Sequence, residues 1–547
     1  MTVGQGLARS PFRWRRGRAG PPVILWLPAL AVGAAMLLPL VYLVVRGTGA
    51  SEEAWDLLLR WRTMQILGRS VLLVAAVTGI SVAIAVPVAW LTVRTDLPFR
   101  RVWMVLTALP LVIPSYVGAF LMVSALGPKG LLQQMLSAPF GVDRLPDIYG
   151  FPGATLTLAL LSYPYVLLTV RAVLSNLDPS LEEAARGLGH SPWQAFRRVA
   201  LPQLRPAIAS GGLLVALYTL SDFGAVSLFD YETFTWAIYQ QFNGFDRTIA
   251  SVLSLVLVSL AIVLLLVESW SRGRLRYYRT GAGTRRRSRE FALGRWKWPA
   301  LGFCGGVVLL ALVLPMSVLG YWVIRAVGSG EPLLLSWSSV WNSVYVSGLA
   351  AIAAAVASVP VAALVVRYPG LLSKTIERAS FVGYALPGVV VALALVFFGV
   401  RYAGPIYQTV WLLVFAYVVL FFPAALVAAR SALLQVSPSL EEAARGLGRS
   451  PSGVLMVINL PLMRSGLQMA VALVFLVTMK ELPATLILGP RDFGTLATSV
   501  WSASSEAFFG QAAVSALVLV LMSSVPMAFL VLREGRSGPA TTGRLSP

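Results

Sequence analysis

Long apolar runs broken by short basic or polar stretches set the pattern of this chain. A helix needs about 20 apolar residues to cross the hydrocarbon core of a bilayer. Twelve runs meet that length, near 23–46, 70–93, 102–126, 153–175, 205–228, 249–270, 299–325, 343–366, 380–400, 407–429, 466–489 and 511–532. Lipid offers the backbone no hydrogen-bond partner, so each run must pair its own peptide groups as a helix. The pattern predicts an all-α polytopic membrane protein with twelve transmembrane helices.

The runs repeat. Residues 70–94, SVLLVAAVTGISVAIAVPVAWLTVR, resemble 343–367, SVYVSGLAAIAAAVASVPVAALVVR, at an offset of 273 that sets Pro87 on Pro360 and Arg94 on Arg367. Further on, PSLEEAARGLG occurs at 179–189 and again at 438–448, an offset of 259 that also sets Pro164 on Pro423 and Arg171 on Arg430. The fall in offset places extra residues in the first half, in the loop 127–152. Six helices per half return the chain to the same side, so the two halves are parallel repeats about an axis along the membrane normal. The expected division is 1–270, a basic linker 271–298, and 299–547. The linker carries ten Lys and Arg with several Gly, and reads as flexible and able to touch anionic membrane lipid.

Composition narrows the class. The formal net charge is +21, which alone would suit nucleic acid. However, with the N-terminus inside, 33 of the 44 Lys and Arg fall on the cytoplasmic side. That is the positive-inside bias, and it places both termini in the cytoplasm and leaves no role for nucleic acid. One Cys (Cys304) and one His (His190) exclude a disulfide framework and a zinc cluster. The first apolar run is too long for a signal-peptide core and reads as an uncleaved helix. No G-x-x-x-x-G-K-[ST] loop is present, so the chain does not bind ATP by that device.

The repeated element is built like a rigid knob. In the first copy Pro179 stops the preceding segment and Ser180 can cap a helix with Glu183 in a capping box. Glu182 and Glu183 suit the first turn, Gly187 and Gly189 end it, Ser191-Pro192 starts a second helix, and Leu201-Pro202 closes that. The second copy repeats this with Ser439, Glu441, Glu442, Gly446, Gly448, Ser450-Pro451 and Leu460-Pro461. A stiff helix–bend–helix held between two membrane helices, at 179–202 and at 438–461, transmits displacement where a floppy loop would absorb it. A single copy could be a well-capped connection with no partner. Two copies point to two equivalent partners.

These residues resemble the E-A-A-x3-G-x9-I-x-L-P motif of permeases of binding-protein-dependent ABC importers. The second copy fits with Glu442, Ala443, Ala444, Gly448, Ile458, Leu460 and Pro461. The first fits with Glu183, Ala184, Ala185, Gly189, Leu201 and Pro202, with Val199 in place of Ile. The resemblance covers nearly the whole chain. It implies the type I importer permease fold and docking of each knob in a cleft of a cytoplasmic ABC ATPase. One fused chain would then serve two ATPase copies, with ATP and Mg on those partners, no cofactor on this chain, a periplasmic substrate-binding protein and a bacterial inner membrane.

Two charged sites lie within the apolar runs. Helix 5 holds Ser221-Asp222-Phe223-Gly224, and helix 11 holds Lys480-Glu481-Leu482-Pro483 in register with it. An ionisable group at bilayer depth costs roughly 2.5–3.5 kcal/mol and usually faces a polar path or another charge. Ser221, Asp222, Lys480 and Glu481 either line the path near its periplasmic end or tie the halves together through Lys480. Gly224 and Pro483 would loosen both helices there. Tyr163, Tyr165 and Tyr417 could add hydroxyls, or simply pack. The stretches SDFGAVSLF and KELPATLIL resemble the fused iron(III) importer permeases, with thiamine and phosphonate permeases as close alternatives. Hard ferric iron prefers oxygen donors, as a transient cargo rather than a stored metal. A secondary transporter would also suit twelve helices, but would need a coupling-ion site and would have no use for two knobs. A membrane enzyme would need a catalytic polar cluster, and the sequence offers none beyond the Asp222/Glu481 region.

Overall fold

The computed structural model describes residues 22–48, 56, 59–128, 130–141, 145–175, 177, 185, 187–189, 191, 194, 196–244, 247–271, 291–328 and 336–536. Among these, eleven helices are long and apolar enough to cross a membrane, and twelve if one bent pair counts as a single span. We label the spans α1 (Val23–Thr48), α2 (Trp61–Arg94), α3 (Ser115–Leu126), α4 (Phe151–Leu174), α5 (Leu201–Ser221) and α6 (Arg247–Ser271) in the first half. The second half has α7 (Gly294–Gly328), α8 (Trp337–Arg367), α9 (Gly388–Tyr402), α10 (Val410–Leu434), α11 (Leu460–Thr478) and α12 (Phe509–Arg536).

Each half centres on three helices, α2, α4 and α5 in the first and α8, α10 and α11 in the second. Without a hydrophobic drive between helices in lipid, close approach of small residues does the packing. On α8, Ala350, Ala351, Ala354 and Ala362 are wholly buried. On α5, a Cβ added to Gly211 would lie 2.4 Å from Thr169 Oγ1 and 2.8 Å from Val166 Cα on α4. Pro87, Pro164, Pro360 and Pro423 all sit inside their helices.

Two spans read as single helices are bent near their start. The first-half segment 102–126 resolves into Arg100–Leu106, a short turn Leu109–Val112, and α3. Its counterpart resolves into Leu371–Ser380, a turn Val382–Ala385, and α9, with a bend of 109°. Prolines cause the breaks: Pro110 lies in the first turn, and Pro114 and Pro387 stand immediately before α3 and α9, where a missing N–H is harmless. The apolar run 380–400 begins only where the first arm, with its Lys374, Glu377 and Arg378, ends, so its length gave no sign of the bend.

The first helix of each half packs on the opposite half. Helix α1 lies on α8 and on Leu371–Ser380. There Gly33 faces Ile376, Tyr42 donates to the Phe397 carbonyl at 3.3 Å, and the Arg46 guanidinium sits 5.3 Å over the Phe397 ring. Helix α7 packs on α3 and α12, where Trp322 donates to Ser124 Oγ and meets the Phe509 ring at 5.3 Å. The halves are thus interlocked by exchanged helices.

The end of the stretch read as a flexible linker is tied down. Phe291 exchanges backbone hydrogen bonds with Arg94 and Asp96, at 2.8 and 3.1 Å. Lys297 lies 2.9 Å from Asp96, and this hydrogen bond, helped by the Leu293 N–H, holds the Asp96 carboxyl below the usual carboxylate range. The residues 272–290 lie outside the described residues.

Overpacking a close helix contact costs about 1–3 kcal/mol. Gly211→Leu is therefore expected to lower the melting temperature of the detergent-solubilised protein. Leucine at Gly302, where an added Cβ meets nothing within 4 Å, should leave it unchanged.

Candidate functional site

The knobs are continuous with the membrane helices. In the second, a helix spans Pro438–Gly446 and a short one Pro451–Val454, followed by a wide π turn, Leu455–Asn459, that leads straight into α11. The run Pro451–Thr478 forms one span of 28 residues, about 42 Å at helical rise. The first half has the same π turn at Phe196–Ala200, in register, and the same run through to Ser221. Leu201-Pro202 and Leu460-Pro461 were read as stops, and the structure corrects this. The wide turn shifts the hydrogen-bond ladder just ahead of the proline, so its missing N–H is accommodated within an unbroken rod.

The cap also differs from expectation. Ser437 is the N-cap and Pro438 the first helical residue, with Ser439 inside the helix. Proline is preorganised for that first position, which moves the start one residue earlier. No side-chain cap bond forms there, and Ser437 and Ser439 hydroxyls lie 2.7 Å apart. The second start matches: Ser450 accepts from the Gly453 N–H at 3.2 Å, and in the first copy Ser191 and Gln194 cap each other reciprocally. Ser180, Glu182, Glu183 and Ala184 lie outside the described residues.

Glu441 is buried and accepts from Arg367 Nε at 2.7 Å, while Arg367 Nη2 donates to the Leu433 and Val436 carbonyls at 3.2 and 3.0 Å. The end of α8, the end of α10 and the knob are thereby clamped by one guanidinium. Arg94 is the counterpart, buried and donating to the Leu177 carbonyl at 3.4 Å. The sequence repeat marked both arginines without indicating this role. A second pair, Arg171 and Arg430, ties α4 and α10 to the short helices before the breaks. Arg171 donates to the Met104 carbonyl at 3.0 Å, and Arg430 pairs with Glu377.

Ala185 and Ala444 are buried, so they and Glu441 face inward, whereas Glu442 and Ala443 are exposed. Gly189 and Gly448 have φ of +89° and +81°, a left-handed conformation that side chains resist. Beside them stand Leu188 and Leu447, 82% and 86% exposed at the two tips. These leucines were missed. Their signal was present in the R-G-L-G repeat, since an apolar residue between two glycines has no neighbour to cover it.

At their far ends both rods stop at a carboxylate. Helix α5 ends at Ser221, Asp222 turns extended, and a short helix Gly224–Leu228 follows. Helix α11 ends at Thr478, and Pro483–Leu488 follows Glu481. Asp222 Oδ1 accepts from the Ala225 and Val226 N–H groups at 2.9 and 3.3 Å, and Glu481 Oε1 from the Ala484 N–H at 3.1 Å. Each carboxylate therefore caps a short helix while standing at a broken one. Lys480 makes no ion pair within 4 Å among the described residues; its Nζ donates to the Leu111 carbonyl, 2.9 Å away on the opposite half. Tyr163 donates to the Thr107 carbonyl at 2.7 Å and Tyr417 lies 2.5 Å from Thr485 Oγ1. Tyr165 packs on Tyr218. Phe223, Trp236, Tyr239 and Trp501 cluster beside Asp222, with Trp501 Nε1 donating to Ser227 Oγ at 3.2 Å across the halves.

Two interlocked helical halves, each carrying an external knob joined by a rigid helix to a carboxylate within the membrane span, define a membrane permease. The chain belongs to the family described as binding-protein-dependent transport system inner membrane component, whose model matches residues 75–277 and again 355–535. It is 34% identical over 519 residues to the Fe(3+)-transport system permease protein FbpB 2 of Haemophilus influenzae, covering 93% of this chain and 98% of that protein. It is 24% identical to the ferric transport system permease protein FbpB of Actinobacillus pleuropneumoniae over 88% of this chain and 73% of that protein. The sulfate transport system permease protein CysT of Escherichia coli is 29% identical over 46% of this chain and 92% of its own length. The chain is a multi-pass inner-membrane protein and a translocating subunit rather than an enzyme. Family membership implies a periplasmic binding protein and an ATPase as partners.

Removing one partner of a buried ion pair costs about 3–5 kcal/mol, because the other charge is left uncompensated. Arg367→Ala should therefore loosen the second knob, read as faster proteolysis within 438–461 and a lower melting temperature. Glu441→Gln, which keeps an acceptor for Arg367, should show a smaller effect on both.

Proposed function

We propose that the chain is the pore of an ATP-driven importer whose cargo is ferric iron. A periplasmic binding protein delivers the cargo at the end bearing Asp222 and Glu481. Two copies of a cytoplasmic ABC ATPase, carrying ATP and Mg, grip the knobs 179–202 and 438–461. This chain holds no cofactor of its own, binds no nucleic acid and keeps both termini in the cytoplasm.

The observation that carries this reading is the unbroken helix from each knob to a carboxylate. When an ATPase pair closes, knobs gripped by it must move, and a stiff helix delivers that movement to the opposite membrane face. The pore thus becomes a two-state element biased by nucleotide at one end and by the binding protein at the other. At the tips, Leu188 and Leu447 supply apolar anchors, and Gly189 and Gly448 fix the bend that presents them. Glu442 and Ala443 are exposed on the same element.

Cargo chemistry follows from the two carboxylates. A pair of acidic groups repels an oxyanion such as sulfate and attracts a cation. Ferric iron is a hard cation that favours oxygen donors. The ferric permeases among the relatives span nearly the whole chain, which supports the same cargo here.

Proteoliposomes holding this chain with its ATPase are expected to accumulate radiolabelled ferric iron from the loaded binding protein only when ATP is hydrolysed. Accumulation without nucleotide would overturn the proposal. The double variant Leu188→Asp/Leu447→Asp should abolish co-purification of the ATPase. Its melting temperature should be unchanged, because both side chains are exposed.

A further inference from the structure

Tyr116 is the second residue of α3 and only 2% exposed, yet its hydroxyl has no hydrogen-bond partner among the described residues. A buried hydroxyl left unpaired is a standing cost, and phenylalanine would fill the same space without it. Its side chain packs in an apolar cluster with Phe223, Met479 and Leu482, and Glu481, Tyr218 and Tyr417 lie near enough to act on it electrostatically. Its Cβ packs against Gly224, where an added Cβ would lie 2.7 Å away, at the start of the short helix that Asp222 caps. Its neighbour Ser115 lies beside both Asp222 and Tyr218. Tyr116, on the first half, thus shares one buried cluster with Phe223 and Leu482, the residues that follow Asp222 and Glu481.

The backbone around it repeats. Glu481 Oε1 lies over the start of α9, 2.5 Å from where a Cβ on Gly388 would be. One turn before each carboxylate, Thr219 and Thr478 are 3% and 2% exposed, and neither hydroxyl has a partner. A helical threonine ordinarily bonds back to a carbonyl of the preceding turn. Two register-matched threonines that do not, each three residues before a carboxylate at the ends of α5 and α11, add hydroxyls without a partner among the described residues.

We propose that Tyr116, together with Asp222 and Glu481, forms a transient oxygen-donor site through which the cargo passes as a bare hard cation, with Thr219 and Thr478 at its margins. This rests on the ferric-iron reading above. All the named groups offer oxygen, the donor that a hard trivalent cation selects. Lys480, the one cation adjoining the set in sequence, is occupied at the Leu111 carbonyl.

The test is Tyr116→Phe in proteoliposomes with the ATPase and the loaded binding protein. The maximal rate of ferric uptake is expected to fall about tenfold, the size of losing one oxygen contact to a charged species. The half-saturating concentration of binding protein and the binding-protein-stimulated ATP hydrolysis should stay as in the wild type. The melting temperature should stay or rise, since the unpaired hydroxyl is gone. Wild-type uptake by the variant would overturn the inference, and so would a fall in uptake accompanied by a lower melting temperature. Failure of the unmodified protein to carry iron in the same assay would instead remove the ferric reading itself, and this inference with it.

Discussion

The contact between Arg367 and Glu441 holds the working parts of the second half in one frame. Its guanidinium meets a carboxylate from the knob and two carbonyls from the end of α10, while its own backbone ends α8. A buried ion pair contributes little net stability over an apolar substitute, but it fixes a geometry sharply, because any departure strands a charge. That trade suits a lever. A knob driven by an ATPase, as proposed above, would have to move as a unit with the helices behind it, and a directional clamp enforces this better than apolar packing, which can slide.

The rest of the mechanism is a question of where the chain is stiff and where it is broken. The knob end is stiff: the π turns at Phe196–Ala200 and Leu455–Asn459 carry each short helix through a proline into α5 or α11 without interruption. The interior is broken, at Asp222 and Glu481 on the levers and before Ser115 and Gly388 on the facing helices. Backbone freed by a break in lipid must find polar partners, so the breaks collect carboxylates and hydroxyls. The same constraint that makes long helices obligatory elsewhere makes these few positions polar.

Much of this was legible in the residues. Helix number, the two halves, the knobs and the loosening at Gly224 and Pro483 follow from apolar length, repetition and helix-breaking residues. The 109° bend before α9 did not, because its first arm, Leu371–Ser380, is amphipathic and lies outside the apolar run, and only Pro387 and Gly388 mark the corner. The start at Ser437 and the rod through Pro461 were misread for one reason: proline was taken as punctuation, when its effect depends on whether its N–H is needed. The exchange of α1 and α7 between halves left no mark in periodicity, since a helix that packs on one face against protein and on the other against lipid is apolar all round. Tyr116 could not have been singled out, because a tyrosine in an apolar run announces nothing about whether its hydroxyl is paired.

The repeat also shows what the molecule does not need to duplicate. Arginines, glycines, leucines and π turns that belong to the knobs match between halves, as two equivalent partners would require. Around the carboxylates the match fails: Tyr116 aligns with Val389, Tyr218 with Val477, and Ser221 with Lys480. The single path proposed above would be seen once from each half, so a donor supplied by one half would serve both. On the function proposed above, symmetry is held where two copies of a partner would read two equivalent surfaces, and relaxed where one cargo would meet one site.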